Sequence, residues 1–598
     1  MLTHRLLYAN YSRYLANSTA FVQNGPKIRE VPLVVRRILD ESRKPQTIPR
    51  AHTLIDKRLI ERIEALSSNS SLIQLLETLK YSQVTPQIAT LSLTKMSEFK
   101  DEYNKEGFAS SAFIKRLLDI IVSGVEKDST SLIEGLSLGV LELENLMDPL
   151  DAISFRRKMF EAALISMTDG VLKPCEIAKT VCIISEYFPD RGAKFRETDK
   201  FWPGIMDKSE EINSKNISTV CKALPHLKKS RDIVMKTIEY KLDDCYRDLD
   251  TSSALEVLGI LTGIGERNRR ILDNLSDWIS LNIQKLSEKE LLAFIYCFTS
   301  LEFTSLTFER TLERYMKAKG VRIKDIELIS SICEYAFKFR LRNLTILEGV
   351  SEYFISHGKK LTPSQIHSVV RIFGELNYHP PNGFKFFENL ENLLDNKFHE
   401  FDPIEILNIL VGAVYLEVYP LNFVDKVFSK DFFTKCSNLS SPEKTEVDNL
   451  LRILESGIRV GVKGYERFPI WRSNSYQYVN RNFRVGKAAK KIMGPLGEIV
   501  GGLDRLNLDV ILSSLPLTPI YIIDLMIYPS AAAKFTRLGK DTKNNMVTAV
   551  IIHPSEHYDS KGQHLIGIQA HRIRHLKQMN FKVMELSMKK LYHMSRSE

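Results

Sequence analysis

Between residues 462 and 494 the chain reads VKGYERFPIWRSNSYQYVNRNFRVGKAAKKIMG, eight cations against one acid, Glu466. Lys463, Arg467, Arg472, Arg481 and Arg484 alternate with Tyr465, Phe468, Trp471, Tyr476, Tyr478 and Phe483, and Lys487, Lys490 and Lys491 follow. Cations of this kind neutralise phosphates, and aromatic faces stack on unpaired bases at about 1–3 kcal/mol each. The pattern is that of a single-stranded RNA contact. It is equally the composition of a connector whose rings pack against the domains on either side.

Two further groups could do chemistry. His571 and His575 are spaced i,i+4 and would share one helix face, the minimum for a transition-metal pair. No cysteine stands near them and no HExxH occurs, so they are expected as surface or RNA-facing groups, with no metal and no cofactor. Asp524 sits alone inside the apolar run YIIDLMIYP. A nuclease holds its divalent ion with several carboxylates, and a single one is a poor site. There is no GxxxxGK[ST] loop, dinucleotide fingerprint or nucleophile elbow.

Charge concentrates these groups at one end. Residues 456–598 carry 22 Lys and Arg against 10 Asp and Glu, and residues 1–40 carry 6 against 2. With a net charge of +10, the body from 41 to 455 is left at −6. A polyanion partner is therefore placed at the C-terminal quarter. The seven cysteines are scattered without CxxC spacing, which predicts free thiols in a reducing compartment. No apolar run is long enough to span a membrane.

The elements that must position the basic segment are of two kinds. Apolar helical segments begin at Leu255, Leu291, Leu328, Ile366 and Ile406, at spacings of 36 to 40 residues. An amphipathic segment follows each of the first four. Two helices per unit at this period predict an α-solenoid, whose units bury their apolar faces only by stacking. ISTVCKALPHLK and IAKTVCIISEYF extend the series upstream, and SLIQLLETLKYS and FIKRLLDIIVSG read as helices of looser units. From Ile520 the period changes to strand, strand, helix, strand, a small α/β module. The fold class is thus mostly α: a solenoid of helix-turn-helix repeats over 70–455, a basic-aromatic connector over 456–515, and an α/β domain over 516–598.

The first 29 residues hold Arg5, Arg13, Lys27 and Arg29 and no acid. That composition predicts a mitochondrial transit segment over 1–30 and delivery to the matrix.

The C-terminal residues resemble the RAP domain: Asp524 within a first strand, AVII (549–552) as the second, the pair His557-Tyr558, then Leu565 and Gly567 leading into a basic helix with Arg572, Arg574 and Lys577, and FKVMEL as the last strand. The family's acids on the second strand fall here on Ile551 and His553, and its glycine on Pro554. The RAP domain is itself similar to small repair endonucleases, and the resemblance implies their fold without their metal site. It also implies helical repeats of the heptatricopeptide or octotricopeptide kind and a role in organellar RNA processing, stability or translation, or as a ribosome-associated component binding rRNA. RNA contacts are then expected from Lys463, Arg467, Trp471, Arg472, Tyr476, Tyr478, Arg481, Phe483, Arg484, His557, Tyr558, Arg572, Arg574 and Lys577. The partners would be a mitochondrial transcript or ribosomal RNA, with mitoribosomal proteins beside it. The alternatives are a protein-binding scaffold, suited to the acidic body, and an RNA endonuclease.

Overall fold

The computed structural model describes residues 54–79, 84–99, 112–125, 129–141, 148–188, 190–465, 482–512, 519–531 and 547–593. These form two compact units, 54–286 with 300–303, and 287–299 with 304–593. The protein is mostly helical with one small sheet, as the periodicities predict.

In the first unit the looser N-terminal segments are helical: SLIQLLETLKYS contributes Asn69–Thr78 and FIKRLLDIIVSG contributes Ala112–Val125. Helices Pro174–Tyr187, Ile217–Cys221 and α1 (Thr251–Ile264) pack in succession. Trp278 on α2 (Arg269–Asn282) is buried and donates to the Leu249 carbonyl at 3.0 Å, so its indole is not left unpaired in the core.

The second unit contains α3 (Glu288–Ser300, apart from its last residue), α4 (Leu306–Lys319), α5 (Ile326–Lys338), α6 (Leu344–His357), α7 (Pro363–Glu375), α8 (Gly383–Lys397), α9 (Pro403–Tyr415), α10 (Leu421–Val427), α11 (Lys430–Cys436) and α12 (Ser441–Gly461). Leading helices α5, α7, α9 and α12 pack side by side, and trailing helices α4, α6 and α8 form the second layer. Helix starts follow capping chemistry. Asp325, Asn343 and Thr362 accept backbone N–H groups, and Thr362/Gln365, Asp402/Glu405 and Ser440/Glu443 form capping boxes.

The ends of the leading helices are less ordinary. Arg340, Asn377 and Glu417 follow α5, α7 and α9 and hold φ of 51°, 49° and 60°. The next residue in each case, Leu341, Tyr378 or Val418, donates to the carbonyl five residues back, closing a Schellman turn. A left-handed residue there is usually Gly or Asn, so Arg and Glu at two of the three positions are strained choices.

The module after residue 482 is larger than the sequence predicts. The stretch read as connector forms α13 (Phe483–Val500) and strand β1 (Leu506–Ile511). β1 pairs antiparallel with β2 (Ile522–Ile527), β2 antiparallel with β3 (Thr548–His553), and β3 parallel with β4 (Lys582–Ser587), in the order β1-β2-β3-β4. Helix α14 (Gly567–Gln578) makes the parallel crossover and packs Ile573 and Leu576 on Met526, Ala549 and Ile551. Helix α13 covers the other face. Its Val485 and Ala489 meet Ile552 and Met588 of α15 (Met588–His593), and its Met493 and Leu496 meet Leu525 and Val550.

Two glycines allow a close helix approach in the array. A Cβ at Gly374 on α7 would stand 2.6 Å from the Gly412 carbonyl oxygen on α9. Backbone cannot yield there as a flexible side chain would. Gly374→Ala is therefore expected to destabilise the protein by about 2 kcal/mol despite Ala's better helix propensity. Gly263→Ala, at an exposed position of α1 with nothing within 4 Å, is expected to stabilise it by about 0.5–1 kcal/mol. Urea titration of the two variants checks the opposite signs.

Candidate nucleic-acid interface

Helix α14 packs against α7, α9 and α12, so the module lies on the array within its unit. The contact is set by backbone. A Cβ on Gly567, the first residue of α14, would overlap the Gly374 carbonyl oxygen and lie 3.0 Å from the Tyr415 ring. Gly457 on α12 faces the His571 ring, where a Cβ would be 3.3 Å from Cε1.

His571, Arg572, Arg574 and His575 of α14 are used in this contact or inside the module. Arg574 donates to the Tyr415 carbonyl, pairs with Glu417 at 2.8 Å and reaches Asn377 at 3.5 Å. The left-handed residues that end α5, α7 and α9 thus all meet the module, because Arg340 donates to the Glu556 carbonyl at 2.6 Å and accepts from Ser560 N–H at 2.9 Å. Lys561 pairs with the buried Glu309 on α4 at 3.2 Å. His571 and His575 are fully buried, with the Tyr521 hydroxyl 2.6 Å from His575 Nδ1 and 3.4 Å from His571 Nε2. These two histidines were expected at the surface. Burial of the apolar face of α14 carries them into the docked contact instead.

Arg572 is likewise turned inward. It is 5% exposed, donates to the Ile522 carbonyl and lies 3.6 Å from Asp524. Asp524, 4% exposed, accepts the Ile552 N–H at 2.8 Å. The β2–β3 ladder covers only Leu525–Ile527 against Thr548–Val550, so this carboxylate supplies the acceptor where the strands part. Beside it, His553 Nδ1 is 3.2 Å from His557 Nδ1, and His553 Nε2 is 3.8 Å from Glu585. Among the described residues no cluster of three metal-ligating side chains forms. Tyr558 is half-buried and bridges to Leu565, and Lys577 remains exposed near Glu585 at 3.7 Å.

The basic-aromatic segment is held at both ends. Lys463 is exposed, and the Tyr465 hydroxyl donates to Asp425 at 2.5 Å. At the other end Asn482 caps α13 and donates to Glu556 at 3.2 Å, and Arg484 pairs with the same carboxylate. Phe483 is 70% exposed. Arg467, Trp471, Arg472, Tyr476, Tyr478 and Arg481 lie outside the described residues. Glu556 joins three parts of the protein: the array through Arg340, the start of α13, and the turn after β3. Sequence reading missed it, and missed the left-handed residues, because neither belongs to a motif.

A model of the FAST kinase-like protein family, subdomain 1, matches residues 366–437, from α7 through α11. Among individual proteins, the chain is 26% identical over 323 residues to the mitochondrial FAST kinase domain-containing protein 3 of Bos taurus, covering 52% of this chain and 47% of that protein. It is 22% identical over 560 residues to the Rattus norvegicus protein of the same name, covering 89% and 80%. The human FAST kinase domain-containing protein 5, mitochondrial, is 21% identical over 208 residues. The chain thus spans about half the length of the bovine relative and four-fifths of the rat one.

The buried histidines make docking pH-sensitive. Desolvation holds His575 down to about 3 and His553 to about 4, and with neighbouring histidine and arginine charge it holds His571 and His557 well below their ordinary value. Their folded pKa values are depressed, so the stability they contribute is present above about 6.5 and is lost as pH falls towards the folded values. Each costs about 1.4 kcal/mol per pH unit in that window. Glu334 on α5, pushed up to about 7 by burial, and Glu375 on α7, also raised by burial, work in the opposite direction but are two groups against four. The melting temperature is expected to fall between pH 7 and pH 5, and His571→Gln/His575→Gln to flatten the decline. Calorimetry over that range checks both.

Proposed function

We propose that the protein is a non-catalytic RNA-binding protein of mitochondria. It acts on organellar transcripts in processing, stability or translation, or on ribosomal RNA beside mitoribosomal proteins. The localisation is mitochondrial, and it rests on several relatives that carry that word in their names. The matrix, the transit role of residues 1–30 and the RAP-like reading of the module belong to the proposal. No helix among the described residues is long and apolar enough to cross a membrane.

The observation that carries the RNA reading is the basic-aromatic segment anchored at Tyr465 and at Asn482–Arg484. Its cations and rings offer phosphate and base contacts, and its anchors join the array to the module. The names of the relatives include the word kinase, but this chain has no GxGxxG loop and no HRD or DFG triplet of the protein-kinase kind. Nuclease chemistry lacks support at Asp524, whose carboxylate is occupied by the Ile552 N–H beside Arg572, with Ile551 and His553 where the family's acids fall. The protein-scaffold reading rests on the acidic body and has no specific contact in its favour.

RNA affinity is expected to fall with salt. Replacing Arg467, Arg472, Arg481 and Arg484 with Gln should lower the slope of log K against log salt by about 0.7 for each phosphate no longer neutralised. Fluorescence anisotropy with a labelled single-stranded RNA measures it. An unchanged slope would place the RNA surface elsewhere than on this segment.

A further inference from the structure

The sheet of the C-terminal module has two helical faces with different fates. On the inner face α14 spends its arginines on the array and on the module interior: Arg574 is held by Glu417 and the Tyr415 carbonyl, and Arg572 by the Ile522 carbonyl. On the outer face α13 turns Val485, Ala489, Ile492 and Leu496 to the sheet. At 100° per residue, Lys487 and Lys491 fall opposite that stripe, with Lys490 beside them. All three are exposed. Helix α15 packs Met588 and Leu591 against α13 and leaves Lys589 and Lys590 exposed alongside.

Among the described residues none of these five lysines has an ion-pair or hydrogen-bond partner. Among the described residues five such cations therefore gather on one face, while Lys582 stands exposed on β4. Two aromatic side chains stand at its margins, Phe483 at the start of α13, 70% exposed, and Tyr592 on α15, 64% exposed. The Tyr592 ring buries little apolar area in the fold. Among the described residues of α13 and α15 the one acid is Glu498, two turns beyond Lys491 on α13.

We infer that the α13–α15 face is the surface on which the module tracks a single-stranded RNA backbone, with the five lysines at phosphates and the Tyr592 ring stacked on a base. This rests on the RNA-binding reading and names its surface. Lysines without a bidentate fork recognise charge rather than base edges, so the contact is independent of sequence. The face is also continuous with the basic-aromatic segment, since Phe483 and Arg484 open α13. An anionic membrane would satisfy the same lysines. RNA is favoured by that continuity and by the exposed Tyr592 ring beside the cations, which can stack on a base.

The test uses the full chain and a fluorescein-labelled, mixed-sequence single-stranded RNA, with vesicles of anionic phospholipid as a second probe. Lys487→Gln/Lys490→Gln/Lys491→Gln should lower the salt slope of RNA binding by about 2, at about 0.7 per phosphate. Tyr592→Ala should weaken binding by roughly fivefold or more at unchanged slope. Thermal melts should match the parent, because these side chains are outside the core. If the parent binds RNA and the arginine variants of the 467–484 segment show a reduced slope while the lysine variant does not, the face is not the track, although RNA binding stands. Binding of vesicles with lysine-dependent affinity, and of RNA without it, would also overturn the inference. If the parent binds no RNA, the functional reading itself fails.

Discussion

Gly567 meets the backbone of Gly374 so closely that no side chain fits between them, and the organisation of the C-terminal half depends on that contact. It fixes where α14 enters the array. Once α14 is seated there, His571 and His575 must be buried, Arg574 comes within reach of Glu417, and the turn after β3 reaches Arg340. The close approach of α7 to α9 at Gly374 and Gly412 prepares the same spot from the array side. A small residue at position 567 is therefore a geometric requirement of docking rather than a propensity choice at a helix start.

Docking also settles which cations of the module are available. Arginines suit buried or planar pairing, and here Arg572 and Arg574 are committed to carbonyls and carboxylates. The lysines of α13 and α15, with flexible stems and strongly hydrated heads, stay at the surface. The array ends its leading helices in left-handed residues that face the module, and it uses Arg340, Asn377 and Glu417 there instead of glycine. The strain at these positions is offset by the interactions their side chains and carbonyls make.

Much of this was legible in the sequence, because its cause is periodic. The 36–40 residue spacing reports units that must stack, and the change to short apolar runs at Ile520 reports a sheet. Where local pattern and tertiary context diverge, the sequence was silent. The lysine-rich stretch after Phe483 reads as connector, yet its apolar residues at Val485, Ala489, Ile492 and Leu496 are a helix stripe that the charge around them obscures. β1 is short, and its alternation of Leu506, Leu508 and Val510 with Asn507 and Asp509 runs for only five residues. Helix α14 presents His, Arg and Lys as a solvated face would. Only the glycine at its start, matched to glycines more than a hundred residues upstream, signals that the helix is covered. No rule of spacing joins Gly567 to Gly374.

The central claim is that the docked module turns α14 towards the array and leaves the basic-aromatic segment and the α13–α15 face for RNA. Photo-crosslinking of the full chain to 4-thiouridine-containing single-stranded RNA, with the crosslinked peptides identified by mass spectrometry, tests it directly. The account predicts crosslinks in residues 463–492 and on α15, and none on α14. Crosslinks concentrated on the helices between Leu255 and Tyr415, with the C-terminal quarter unmarked, would contradict it.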